Sequence, residues 1–201
     1  MERAAAPRPI APRALATSLP NVLTYGRIAA VPALVACLFL FKGDFARWSA
    51  LAVFVVACIT DWLDGYLARI WDQQSALGRM LDPIADKLLV GAALIMLVHD
   101  NTIDGWPVWA AVIIMSREIL VSGLREFLAE LNVKVHVSQL AKWKTTLQMV
   151  ALGFLIAGPA GEKLIPGVLV AGTLLLWLAA FLTLFTGYDY LKAAIRHAIE
   201  G

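Results

Sequence analysis

Four aspartates, Asp61, Asp64, Asp82 and Asp86, lie close together in a chain whose surroundings read as lipid-soluble. Carboxylates at membrane depth are costly unless paired, hydrated or bound to a cation, so they mark a functional site by default. Asp61 and Asp64 are three residues apart, and Asp82 and Asp86 are four apart. On helices, both spacings place the two side chains on one face. Two facing helices would then present four carboxylates to a common centre. Oxygen-only ligands suit Mg²⁺ or Mn²⁺, and no histidine stands among them to favour zinc. Two such ions about 3.5–4 Å apart are a common arrangement for phosphoryl transfer. The plainer reading has the aspartates capping helix ends or pairing with Arg69 and Lys87. It suits lone boundary charges better than four convergent ones.

The elements that must position these groups follow from composition. Of 201 residues, 60% are hydrophobic and only 16% charged, against about half and about a quarter in a soluble domain. Membrane helices need roughly 20 residues each, and the apolar runs predict an all-α polytopic membrane protein with six transmembrane helices. These cover Val22–Phe41, Arg47 to about Arg69, Asp82 to about His99, Pro107 through about Glu126, Ser138 to about Ala157, and Gly167 to about Tyr190. Asp82-Pro83 reads as a helix start, with Asp as the N-cap and Pro at the first helical position. Segments 72–75, 100–105, 131–137 and 158–166 read as connections, and Leu191–Gly201 as a short basic amphipathic end.

Residues 1–20, rich in Ala, Pro and Arg, read as a flexible basic tail ahead of a domain over 21–201. They lack the apolar core of a signal peptide. Cys37 and Cys58 sit in apolar runs as small hydrophobes, without a disulfide framework. A net charge of +2 is too small to argue for nucleic acid. Its distribution is more informative. With the N-terminus inside, six crossings put all 17 basic residues on the inner side except Lys42, Arg47 and Lys163. That bias predicts cytoplasmic termini. It also places the aspartates at the cytoplasmic boundary, level with Arg117, Arg125, Lys142 and Lys144.

The pattern D-x-x-D-G-x-x-A-R-x₈-G-x-x-x-D-x-x-x-D, filled at every fixed position between Asp61 and Asp86, resembles the signature of the CDP-alcohol phosphotransferases. That resemblance implies a six-helix membrane enzyme that splits a CDP-linked donor and transfers its phosphoryl-bearing part to an alcohol. It implies Asp61, Asp64, Asp82 and Asp86 as ligands of Mg²⁺ or Mn²⁺, with Asp86 also the base for the acceptor hydroxyl. Gly65, Ala68, Arg69 and Gly78 would surround the CDP moiety. Ser75 resembles a small hydroxyl position near the donor phosphates, and Thr24 to Arg27 a first-helix segment bordering the nucleotide. A homodimer in a bacterial inner membrane is the assembly and setting that the resemblance suggests.

A second stretch separates branches of the family. Arg117, Ser122 and Arg125, with Lys142 and Lys144, resemble the branch that makes phosphatidylglycerol phosphate from CDP-diacylglycerol and sn-glycerol 3-phosphate. Arg and Lys from different helices suit a phosphate-bearing acceptor. A serine or choline acceptor would have less use for them, and the nearest rival is a family member making phosphatidylinositol phosphate or phosphatidylserine. Two rivals lie outside the family. Membrane prenyltransferases also use aspartate pairs with magnesium, but usually on separate helical units. An ion transporter would leave the CDP-type spacing unexplained.

Overall fold

The computed structural model describes residues 19–71, 76–131, 133 and 139–200. Among these it shows six helices and no strand: α1 (Leu19–Leu40), α2 (Asp44–Trp71), α3 (Ala76–His99), α4 (Pro107–Glu130), α5 (Gln139–Glu162) and α6 (Val168–Glu200). Asn21–Leu40, Asp44–Asp64, Pro107–Ala129 and Val168–Lys192 are each long and apolar enough to cross a membrane. They lie in α1, α2, α4 and α6. α3 and α5 fall short of that mark, α3 because Asp82, Asp86 and Lys87 interrupt it and α5 because Thr145, Thr146, Gln148, Gly158 and Pro159 dilute its apolar residues. The chain is an all-α polytopic membrane protein.

Three boundaries differ from the sequence reading. α3 begins at Ala76, so Asp82 is no N-cap and Pro83 lies inside the helix. The preceding residues include good helix formers, Ala76, Leu77, Met80 and Leu81, which carry the helix back past the proline. Pro83 cannot donate to the Arg79 carbonyl, but it is exposed and borders a polar cavity. α5 does not stop at Gly158. It kinks there (φ 48°, ψ −131°) and resumes through Pro159 to Glu162. Glycine accepts the positive φ, and the proline leaves the Leu155 carbonyl without its helical donor. Arg47 Nη1 approaches that carbonyl to 3.5 Å. Finally, the basic end after Tyr190 continues α6 to Glu200 instead of forming a separate element.

Packing explains how the site is assembled. α1 lies against both α2 and α3, which touch each other little, and α5 packs on α2 and α6. The core joins Leu34, Phe54, Leu89, Leu97, Ile114, Leu152, Leu155 and Ile156 to many alanines, including Ala50, Ala93, Ala110, Ala151 and Ala179. Small residues let membrane helices approach closely, since lipid offers no hydrophobic drive to pair them. Ion pairs tie down the end remote from the aspartates. Arg47 binds Asp100 at 2.8 Å and Thr102 at 2.8 Å, and Lys163 binds Asp44 at 2.7 Å. Two of the three basic residues expected outside therefore sit together at one end of the bundle. Glu162 accepts the Gly167 and Leu169 amides at 2.7 and 3.0 Å, capping α6.

Gly172 is where α5 and α6 approach most demandingly. A Cβ there would lie 3.0 Å from Leu155 Cγ and 3.1 Å from Phe154 Cβ. Leu155 is fully buried and cannot yield. Gly172→Ala is expected to cost about 1–3 kcal/mol by overpacking. Gly123→Ala, with nothing within 4 Å of the added atom, should leave stability unchanged or raise it slightly. Thermal midpoints of the two variants in detergent check this; equal midpoints would contradict the packing.

Candidate active site

The four aspartates are gathered by α1. Arg27 Nη1 lies 2.7 Å from Asp61 Oδ1 and 2.7 Å from Asp86 Oδ1, and its Nη2 binds Asp64 Oδ2. One turn earlier, Thr24 Oγ1 donates to Asp82 Oδ1 at 2.6 Å. The i, i+3 spacing of Thr24 and Arg27 puts both on one face of α1, where α2 and α3 flank it. The sequence reading had α2 and α3 facing each other directly. The structure puts a guanidinium from α1 at their meeting point instead.

Burial makes this arrangement strongly interdependent. The Arg27 side chain is 0% exposed and that of Asp64 5%, whereas Asp61 and Asp86 are 44% and 41% exposed. A buried charge is tolerated only with partners, and the partners here come from two other helices, α2 and α3. The cluster opens to one side through Asp61 and Asp86. Lys87 donates to Ser122 Oγ on α4.

On that open side lies a cavity of about 740 Å³, bordered by Asp61, Asp86 and Lys87 and by Arg117, Glu118, Ser122, Arg125, Glu126 and Lys144. Arg117 is held from behind by α6. Its Nε donates to the Thr183 carbonyl at 2.9 Å and its Nη2 to Thr186 Oγ1 at 3.0 Å. Glu118 accepts from Lys144 Nζ and lies 3.5 Å from Arg117 Nη1. Acidic and basic groups from α2, α3, α4 and α5 thus line one shared space. A second cavity, about 580 Å³ and almost wholly apolar, runs between α2 and α5 past Trp48, Phe54, Cys58, Trp62 and Phe154. Met149 borders both.

The CDP-alcohol phosphatidyltransferase family model matches residues 17–185. The chain belongs to that family. It is 49% identical to a Rickettsia bellii protein over 180 residues, covering 90% of this chain and 97% of that protein. It is 40% identical over 179 residues to an Escherichia coli protein, covering 88% and 94%. Identity to a Cereibacter sphaeroides protein is 37% over 214 residues, covering 90% and 96%. Each of these relatives is named CDP-diacylglycerol–glycerol-3-phosphate 3-phosphatidyltransferase.

Within this family member, six of the expected residues border one cavity. Asp61, Asp86, Arg117, Ser122, Arg125 and Lys144 border it, while Asp64 and Asp82 stand behind, held by Arg27 and Thr24. Gly78 is buried. Ser75 and the side chains of Gly65, Ala68, Arg69 and Lys142 lie outside the described residues. Glu118 pairs with Lys144 and Arg117, as expected of a partner for the basic cluster, whereas Gln148, Thr183, Thr186 and Tyr190 were missed. Their signal is weak in sequence, since a Thr in an apolar helix looks like a packing residue until a guanidinium is found against it.

The donor set fits a hard divalent cation in chemistry: all oxygen, largely carboxylate, and drawn toward a single positive centre. The guanidinium sets the present spacing, and among the described residues no three acidic groups close on one ion-sized point. Arg27→Met should leave Asp64 buried against uncompensated charge and lower stability by about 3 kcal/mol. Denaturation of the chelator-treated protein in detergent reads this out. A wild-type midpoint in that variant would show that Arg27 is not needed to hold the carboxylates.

Proposed function

We infer that this protein transfers the phosphatidyl group of CDP-diacylglycerol to sn-glycerol 3-phosphate, releasing CMP and forming phosphatidylglycerol phosphate. The observation that carries this reading is one cavity bordered both by Asp61 and Asp86 and by Arg117 and Lys144. The names of relatives that match nearly its whole length support it. Arg117 and Lys144 would take the acceptor's phosphate, a use suited to a guanidinium fork and an ammonium from separate helices. That seat directs the acceptor's primary hydroxyl toward Asp86. The hydroxyl oxygen attacks the phosphorus bearing the diacylglycerol, the bond to the CMP oxygen breaks, and the hydroxyl proton passes to Asp86.

Asp61, Asp64, Asp82 and Asp86 would hold Mg²⁺ or Mn²⁺, which would neutralise the donor's diphosphate and the departing CMP. Gly65, Ala68, Arg69 and Gly78 are assigned to the CDP moiety by their match to the family signature, and Ser75, Thr24 and Arg27 by the resemblance of their segments outside its fixed positions. The apolar cavity between α2 and α5 suits the donor's acyl chains, entering from lipid beside Trp62 and Ile59. The positive-inside bias puts this chemistry on the cytoplasmic side, in six crossings and, from the bacterial relatives, at the inner membrane. A homodimer is the assembly expected from the family.

CMP release by the purified enzyme, measured with CDP-diacylglycerol and each acceptor in turn, tests the reading. Glycerol phosphate should support turnover; turnover with inositol phosphate or serine alone would sink the assignment. Asp86→Asn should reduce transfer by at least about a hundredfold without altering membrane insertion. Arg117→Ala should raise the acceptor's KM roughly tenfold, about one charge-assisted contact, and change the donor's KM far less. The reverse pattern would move Arg117 to the nucleotide side.

A further inference from the structure

Gln148 lies on α5 one turn beyond Lys144, on the same face. It borders the cavity that holds Asp61, Asp86, Arg117 and Lys144. The residue is 3% exposed, and its carboxamide oxygen is buried without a hydrogen-bond partner among the described residues. An unmet acceptor inside a membrane bundle is expensive, and native structures rarely leave one without a purpose. A packing role would be served as well by Met or Leu, with no such cost.

Its position indicates what it meets. Gln148 sits about 6 Å further along the helix axis than Lys144, from four residues of helical rise. That is the length scale of a three-carbon acceptor measured from its phosphate. A carboxamide oxygen accepts hydrogen bonds and donates none. On the reading given above, the acceptor's phosphate is taken by Arg117 and Lys144, and the proton of its primary hydroxyl goes to Asp86. The remaining donor on a glycerol phosphate is the secondary hydroxyl.

We propose that Gln148 is a specificity-determining residue, its side-chain oxygen accepting the hydrogen bond of the acceptor's secondary hydroxyl between the phosphate seat and the reacting oxygen. The proposal rests on the glycerol phosphate reading. It adds what that reading leaves open, namely how the centre of the acceptor is recognised.

The test compares sn-glycerol 3-phosphate with 3-hydroxypropyl phosphate, which keeps the phosphate and primary hydroxyl but lacks the secondary one. Both are assayed with the full-length enzyme and CDP-diacylglycerol. Wild type should prefer glycerol phosphate roughly ten- to hundredfold in kcat/KM, the range set by one unmet buried polar group. Gln148→Met should reduce that preference to within about twofold, by losing activity on glycerol phosphate alone. A variant that slows both acceptors equally, or keeps the preference, overturns the proposal and leaves Gln148 a structural residue. Should Gln148→Met fail to fold, Gln148→Asn, whose oxygen is withdrawn by one methylene, must shrink the preference in the same direction. A wild-type enzyme that does not distinguish the two acceptors overturns the proposal without any variant. Turnover with neither, but with inositol phosphate or serine, removes the underlying reading instead.

Discussion

Four carboxylates in an apolar bundle create the constraint to which the rest of this structure answers. Negative charge at this depth must be met by positive charge, and the described structure meets it with a single guanidinium. Arg27 binds Asp61, Asp64 and Asp86 at once, while Thr24 takes Asp82. Because α2 and α3 touch each other little, α1 is the element that fixes their separation at the site. Arg27 is wholly buried, so its electrostatic interactions are weakly screened by solvent. The first helix is thus as much a part of the site as the two that carry the signature.

The same economy holds at the basic end. Arg117 could not keep its charge so deep on α4 without the Thr183 carbonyl and the Thr186 hydroxyl of α6. Lys144 meets Glu118 in the same way. Asp61, Asp86, Lys87, Arg117 and Lys144 at the cavity wall are each met by a group from another helix, so these side chains are set before any substrate arrives. Preorganised dipoles and charges of this kind need no rearrangement as the reaction proceeds, which is where much enzymatic stabilisation originates. The far end of the bundle has its own fastening, Arg47 to Asp100 and Lys163 to Asp44. Ion pairs thus sit at both ends, with an apolar core between them.

Small residues give these contacts their reach. Helices rich in buried alanine lie close enough for a side chain from one to enter the polar centre of the next. Gly187 shows this locally, since a Cβ there would come 3.3 Å from Arg117 Cγ. The kink at Gly158 serves the opposite end. It releases the Leu155 carbonyl toward Arg47, which also grips the turn after α3. A proline and a glycine that read as a loop in sequence are in fact a bend within one helix.

Much was legible in the residues alone. Apolar runs gave the helical membrane architecture because hydrophobic length is a one-dimensional property. The spacing of Asp61, Asp64, Asp82 and Asp86 pointed to one shared centre because helical periodicity converts sequence distance into a shared face, and all four do meet at Arg27 and Thr24. Helix ends were less legible. Asp82-Pro83 has the composition of a helix start, yet neighbouring residues extended α3 to Ala76. What only the tertiary structure decided is which groups complete those carboxylates and cations. Arg27 looked like part of a nucleotide border, and Thr183, Thr186 and Gln148 looked like ordinary members of apolar helices. Their roles depend on contacts between residues far apart in the chain. Such contacts arise from how helices stack, which no local pattern of residues encodes.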